Sequence, residues 1–504
     1  MGKLELASIF SNNMILQRGK EIRIFGSGED FKPVTVSINN VSKTVYPEGG
    51  KWVAALPPME PAISCELKVS TENSEITIYN VAIGEVWIAG GQSNMEFALK
   101  YDAEAKDSIP SVKNPDIRFF DCPKKSYAGQ ENIKDMSEYG FWRCCDPENA
   151  PYYSAVGFYF AQKIYESQKV PVGIIGCNWG GTTASAWLDE KYLAADKDLE
   201  IYLREYEEII KNLDLNEYEN KISQQEAFFD SAQFKAMSEA MLAGSPSAQI
   251  EEESSNADLF TIMGPKSFNR PSGLYHFMVE EIAGYSARGV IWYQGESDVV
   301  KAALYNKLFS SVIQCWRDAW KDELPFLFVQ LAPFKKWLMA TGDLFPVIRE
   351  QQEFVSRTVP KVYMASIMDS GMEFDIHPKR KRPVGERLSL LARNKVYGED
   401  IISEAPEVDR ATYQQGRIII NFVNAGNEIF LEGNKINGLQ VFVNEVEIHD
   451  FNSGVRKDSI YIESDKFNYI GIIQVKFAWM PYVEVNLYSS AGLPVKPFKI
   501  SLVV

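Results

Sequence analysis

Four short segments of the 504-residue chain set small, polar or titratable residues directly after an apolar run, which is where a buried strand hands a reactive side chain to a loop. The first is Val86-Trp87-Ile88-Ala89-Gly90-Gly91-Gln92-Ser93-Asn94-Met95-Glu96. Its glycines allow a sharp turn that lifts Ser93 above a sheet, with its N–H at the start of a helical stretch, and that suits a nucleophile. Taken alone, Ser93 would equally serve as a helix cap. The segment is not a G-x-S-x-G elbow, because Met95 stands where the second glycine belongs. The second segment, Ile174 to Thr183 with Trp187 after it, contains Trp179-Gly180-Gly181, whose backbone N–H groups can form an oxyanion hole or a phosphate cradle. No Gly-Lys-Ser/Thr follows, so a Walker A loop is excluded. The third, Gly289 to Asp298, ends an apolar strand in Gln294, Glu296, Ser297 and Asp298. Gln294 could donate its side-chain amide to a developing oxyanion, while the two acids orient neighbours or cap a helix. The fourth, Met368 to Pro378, holds His377 with Asp375 two residues before it.

Histidine is scarce, which narrows the search for a base to His276, His377 and His449. His449 falls in a C-terminal β region and is expected at the surface. His276 lies in a helical stretch before Val290 and suits a satisfied core position. Only His377 combines a strand-end loop with a nearby carboxylate. A serine, a base oriented by an acid, and donors from two further loops make up an acyl-transfer site. No metal is needed: the six cysteines contain no C-x-x-C pair, and with three histidines they give no zinc spacing. Buried free thiols are expected instead. The net charge of −16 repels phosphate backbones, so nucleic acid is not an expected partner. No stretch approaches the about 20 apolar residues of a membrane span.

The elements that must position these residues follow from the hydrophobic pattern. Residues 1–80 contain short strand candidates (Glu21–Phe25, Val34–Ile38, Thr44–Tyr46, Trp52–Leu56, Glu66–Val69) separated by turn residues, which suggests a β-sandwich-like domain. From 81 to 403, apolar strands alternate with helical patterns such as Ala155–Tyr165, Tyr305–Trp320, Phe345–Ser356 and Val384–Asn394. That alternation implies a parallel sheet with helices on both faces. A charged helical excursion at about 188–267 (Tyr202–Asn212 and Gln224–Leu242, closed by an acidic, Ser-rich stretch over 244–258) reads as an insertion. From 404 to 504 the pattern returns to β, with candidates including Arg417–Phe422, Ser459–Ile462 and Val483–Leu487.

The segments Gly91-Gln92-Ser93-Asn94-Met95, Trp179-Gly180-Gly181-Thr182, Trp292-Tyr293-Gln294-Gly295-Glu296-Ser297 and Asp375-Ile376-His377-Pro378 together resemble the SGNH hydrolases, and within them the sialate O-acetylesterase family. Further matches at Asn13-Met14-Ile15-Leu16-Gln17, Pro271-Ser272-Gly273-Leu274-Tyr275, Pro383 to Leu388 and Gly492-Leu493-Pro494 extend the resemblance over nearly the whole chain. It implies a flavodoxin-like SGNH hydrolase domain flanked by N- and C-terminal β domains, and a serine esterase without cofactor that removes acetyl groups from sugar hydroxyls. By position, it implies Ser93 as nucleophile, His377 as base, and oxyanion donors from the Ser93 N–H, the Gly180-Gly181 pair and the Gln294 amide. Many SGNH enzymes space acid and base as Asp-x-x-His, whereas here the spacing is Asp375-x-His377. Asp375 is the expected acid, with Asp369 or the backbone alone as alternatives.

The first-choice substrate is 9-O-acetylated sialic acid, with Trp179, Glu296, Arg270 and Arg382 as candidate sugar-binding residues, since Arg pairs a carboxylate bidentately. The alternatives are an acetylxylan or other plant-glycan esterase on the same triad, and more distantly a noncatalytic carbohydrate-binding protein. The tract Lys379-Arg380-Lys381-Arg382 reads as a solvated turn or a positive rim. Met1–Leu6 has no signal-peptide core; the resemblance implies export with the leader absent from this sequence, and the alternative is a cytoplasmic enzyme.

Overall fold

Glu75–Gly91 is the strand on which the chain is organised. In the computed structural model, which describes residues 3–130, 139–244, 262–468 and 471–503, every residue of this strand from Val81 onward is buried. Its first part pairs antiparallel with Ala62–Ser70 and its middle pairs parallel with Ile15–Gln17. Its end lies between the parallel strands Val172–Asn178 and Gly289–Tyr293. The domain boundary expected at residues 80/81 therefore falls inside one strand. What reads as a boundary is a bulge: the pairing shifts between Cys65↔Val81 and Leu67↔Ile78, and Asn80 takes up the extra residue at φ 55°. The N-terminal β layers and the central sheet thus share a backbone. The buried Glu85 reinforces that junction by pairing with Arg18 and Arg288, which outweigh the upward push of burial and hold its carboxyl below the usual range.

Across the central sheet the strands run Trp142–Cys145, Asn114–Asp121, Val172–Asn178, Glu75–Gly91, Gly289–Tyr293, Phe326–Val329 and Val362–Ala365. All neighbours are parallel except Trp142–Cys145, which pairs antiparallel at the edge. Strands Val172–Asn178, Gly289–Tyr293 and Phe326–Val329 are buried at every position, so both faces are covered. The helices Ala155–Gln168 with Arg382–Leu391, and Tyr305–Trp320 with Phe345–Thr358, pack as two pairs. The strand order reverses at Glu75–Gly91, and such a switch point opens a crevice at the carboxyl ends of the strands.

The excursion after Leu188 is helical, but the helix expected over Gln224–Leu242 is two, Leu215–Phe229 and Ala232–Ala243. Ser231 separates them by capping the second, its Oγ accepting from Phe234 N at 3.0 Å. Of the acidic stretch expected to close the excursion, 245–258 lies outside the described residues.

The C-terminal part has its own hydrophobic core and two four-stranded antiparallel sheets. The strand expected over Val483–Leu487 is instead Leu487–Ser489, paired with Ile429–Leu431. Arg349, 1% exposed, fastens this part to the central domain by donating to the carbonyls of Ala478, Met480 and Pro481 at 3.3, 2.8 and 3.0 Å. All six cysteines are free, and Cys144 is the one not buried.

Candidate active site

Three of the four segments singled out in the sequence meet at one level of the sheet, because Asn178 and Tyr293 both stand in register with Gly91. Gly91 sits at φ 131°, and a Cβ there would fall 2.1 Å from the Tyr293 carbonyl oxygen, so a side chain is excluded where the chain turns. The turn leads into the short helix Ser93–Glu96 and leaves Ser93 half-buried at its first position. The fourth segment arrives from the edge of the sheet. The loop after Val362–Ala365 returns across the strand ends, with Ala103 N donating to Lys379 O and Lys381 N to Asp102 Oδ2. It brings His377 Nε2 to 3.0 Å from Ser93 Oγ.

Asp375 and Asp369 separate cleanly. Asp369 forms a bidentate pair with Arg387 at 2.6 and 2.7 Å. Asp375 accepts the His377 backbone N–H at 2.8 Å, pairs with Lys379 at 2.9 Å, and holds Oδ1 3.6 Å from His377 Nδ1. That last separation is too long for a hydrogen bond, and Nδ1 has no hydrogen-bond partner among the described residues. Asp375 acts on the imidazole by charge, across a short gap. Burial tends to raise its own pKa, but His377 and Lys379 prevail and hold it low. Burial, reinforced by Lys381 and Lys379, lowers the pKa of His377 against the opposing pull of Asp375. The ring is therefore neutral near pH 7 and free to take a proton.

The expected oxyanion donors fare differently. Gly180 packs against Ser93, where an added Cβ would come within 3.2 Å of Ser93 Cβ, but its N–H donates to Glu96 Oε2 at 2.5 Å. Glu96 is in turn paired with Lys124. Gly181 is left-handed at φ 73°, with nothing within 4 Å of where a Cβ would stand. Gln294 does not fit the expected role as it stands. It is fully buried, and its amide donates to Thr182 O at 3.2 Å and Asp298 Oδ2 at 2.5 Å, so both N–H groups are occupied. Burial raises the pKa of Asp298 to about 6.

Of the candidate sugar contacts, Trp179 borders the site through Gly180 and stacks on Phe268 at 5.3 Å. Glu296 is buried and accepts from Asn94 Nδ2 at 2.6 Å, which orients a neighbour of Ser93. The two arginines are engaged elsewhere: Arg270 donates to the Ser126 carbonyl and Arg382 pairs with Glu104. The tract Lys379–Arg382 is not a solvated turn. Lys381 is fully buried, its ammonium 2.5 Å from Asn94 Oδ1 and 4.7 Å from the Phe97 ring centroid. Its four-residue spacing from His377 was readable in the sequence, but a basic run gave no sign that one member is inside. The reading also missed Trp337, whose ring lies 5.2 Å from that of His377. His276 is at the surface, between Glu190 and Glu280, and His449 is exposed as expected. No group of three or more His, Cys, Asp or Glu is placed to hold a metal, and no helix is long and apolar enough to cross a membrane, among the described residues.

Residues 261–389, which include the strand Gly289–Tyr293 and the His377 loop, match the family described as SASA, carbohydrate esterase, sialic acid-specific acetylesterase. The sialate O-acetylesterase of Mus musculus is 26% identical over 431 residues, 78% of this chain and 73% of that protein. The Homo sapiens protein of the same name is 24% identical over 432 residues, 78% and 71% of the two chains. A crystal structure of a carbohydrate acetylesterase from Xanthomonas citri superposes with a TM-score of 0.77 at 26% identity, covering 98% of this chain and 99% of that one. The family match and these relatives agree on one chemistry, ester hydrolysis.

Proposed function

We propose that this esterase, a relative of the sialate O-acetylesterases, removes O-acetyl groups from sugars through a covalent acetyl-Ser93 intermediate on a flavodoxin-like SGNH core. The observation that carries the proposal is the 3.0 Å contact of His377 Nε2 with Ser93 Oγ at the switch point of the sheet. Ser93 Oγ attacks the acetyl carbonyl as His377 Nε2 takes its proton. The negative oxygen of the tetrahedral intermediate is held by the N–H groups of Ser93 and Gly181. Gly180 gives up its N–H to Glu96 and serves to fix the loop. Each such donor contributes about 3–4 kcal/mol in comparable sites. His377 then protonates the departing sugar oxygen. A water attacks the acetyl-serine while His377 takes its proton, and acetate leaves. Asp375 stabilises the imidazolium that forms in both halves.

For the sugar, the names of the relatives favour an O-acetylated sialic acid, and the 9-O-acetyl ester is the first choice among these. The engaged state of the two arginines favours a second reading, a neutral acetylated glycan such as xylan, because Arg382 already pairs with Glu104 and Arg270 turns its Nε and Nη2 to the Ser126 carbonyl. Acetate release from O-acetyl sialic acid beside acetylated xylan tests the pair. Activity on xylan alone removes the sialate assignment and leaves the esterase standing.

A further inference from the structure

The proton that His377 returns during ester cleavage goes to the sugar oxygen, so the carbon bearing that oxygen must come within a few ångström of His377 Nε2. Whatever flanks the imidazole on its open side also flanks the sugar. Trp337 is such a neighbour: its ring centroid lies 5.2 Å from that of His377, with the planes at 87°, and the side chain is half-buried. It stands on a small hairpin, Lys336–Trp337 paired with Ala340–Thr341, in the connection between the strand Phe326–Val329 and the helix Phe345–Thr358. The hairpin is seated on the His377 loop. Lys335 N and Lys336 N both donate to Glu373 O, at 3.0 and 3.1 Å, and Lys335 Nζ pairs with the Glu373 carboxylate at 2.8 Å. Two more apolar side chains of the hairpin and the His377 loop are exposed, Met339 at the hairpin tip at 93% and Phe374 three residues before His377 at 61%. Gly180 packs against Ser93 itself rather than against His377.

Resting on the sugar-esterase reading above, we infer that Trp337 and its hairpin form the subsite for the sugar ring that leaves with the departing oxygen. The apolar C–H face of a pyranose packs on the indole, as an amphipathic ring with an apolar body and a polar rim suits an aromatic surface. The attachment of the hairpin to Glu373 keeps indole and imidazole in fixed relation. A hydroxyl-free leaving group such as nitrophenolate, planar and small, does not depend on that surface to the same degree.

The test compares kcat/KM for an O-acetylated monosaccharide with kcat/KM for p-nitrophenyl acetate in wild type, Trp337→Ala and Trp337→Phe. The expected result is a ratio about tenfold lower in Trp337→Ala, the value of one aromatic contact, with the loss in KM for the sugar and most of it recovered in Trp337→Phe. Equal loss on both substrates overturns the assignment, because Trp337 then acts only by packing on His377. An unchanged ratio without loss overturns it too. A wild type that cleaves the nitrophenyl ester and no sugar acetate overturns the proposed function, and this subsite with it. Trp337→Leu keeps an apolar side chain in the hairpin but no flat ring, so it reads the same lowered ratio if the alanine variant does not fold.

Discussion

Replacing Lys381 with Met separates two effects that the buried ammonium combines. Lys381 Nζ reaches Asn94 Oδ1 at 2.5 Å, and Asn94 Nδ2 reaches both Glu296 Oε1 and Ile376 O, at 2.6 and 3.0 Å. The ammonium thus ties the helix of Ser93 to the loop of His377. Burial depresses its pKa from 10.5 to about 7; Glu296 pulls it up, Lys379 pushes it further down, and Asp375 and Asp102 also favour the charge. A displacement of that size, at about 1.4 kcal/mol per unit, sets roughly 5 kcal/mol against the charged form in the folded state. Below pH 7 both states are charged and the full penalty applies. Between pH 7 and 10.5 the unfolded chain binds the extra proton, so wild-type stability rises with pH across that window. Lys381→Met removes the penalty and keeps an apolar stem, but leaves Asn94 Oδ1 without its donor, worth about 1–3 kcal/mol. The variant is therefore expected to be at least as stable as wild type at pH 6 in urea unfolding, with the advantage shrinking by pH 9. Its activity moves the other way. His377 works as a base only when neutral, so kcat/KM falls as pH drops through a pKa held below 6.5. Losing a repelling cation raises that pKa, and the acid limb of the profile shifts upward while kcat falls with the lost tie. A variant about 3 kcal/mol less stable at pH 6, as for a broken buried ion pair, or an unmoved acid limb, would show that Lys381 does not play these two parts.

Three further perturbations probe the site around this tie. Asp375→Asn should lower kcat by about 10²–10⁴-fold, since it removes the charge that stabilises the imidazolium. Asp369→Asn should leave kcat of the folded protein near wild type and instead cost about 3–5 kcal/mol in urea unfolding, because it breaks the Arg387 pair. The opposite assignment would follow from the reverse pattern. Glu96→Ala releases the Gly180 N–H and is expected to lower kcat about tenfold as the Gly180-Gly181 loop loses its clamp. A rise in kcat would mean that Glu96 blocks a donor rather than fixing one.

The parallel sheet and its helices were legible because continuously buried strands and 3.6-residue patterns differ so strongly; Tyr305–Trp320 has the same ends in sequence and structure. The junction at residue 80 was not, because a bulge and a domain boundary use the same polar, turn-forming residue, Asn80. The convergence of Ser93, Gly180 and His377 could be read from strand ends, since topology fixes where those ends lie. Donor availability could not. Whether the Gln294 amide is free depends on Asp298 and Thr182, which approach it only after folding. The same holds for charge: sequence distinguishes Lys379 from Lys381 by nothing but position, yet one pairs with Asp375 and the other is enclosed among Asn94, Phe97 and Tyr293. Trp337 escaped notice because its hairpin belongs to no motif and meets His377 only in space.

The proposed mechanism requires that Ser93, activated by His377, carry the acetyl group during turnover. It is tested most directly by intact-protein mass measurement during rapid quench with an O-acetylated sugar, wild type beside Ser93→Ala. The expected result is a transient acetyl adduct on wild type that maps to Ser93, and neither adduct nor acetate release above background in Ser93→Ala. Acetate released by Ser93→Ala at the wild-type rate, or an adduct mapped to another residue, would contradict it.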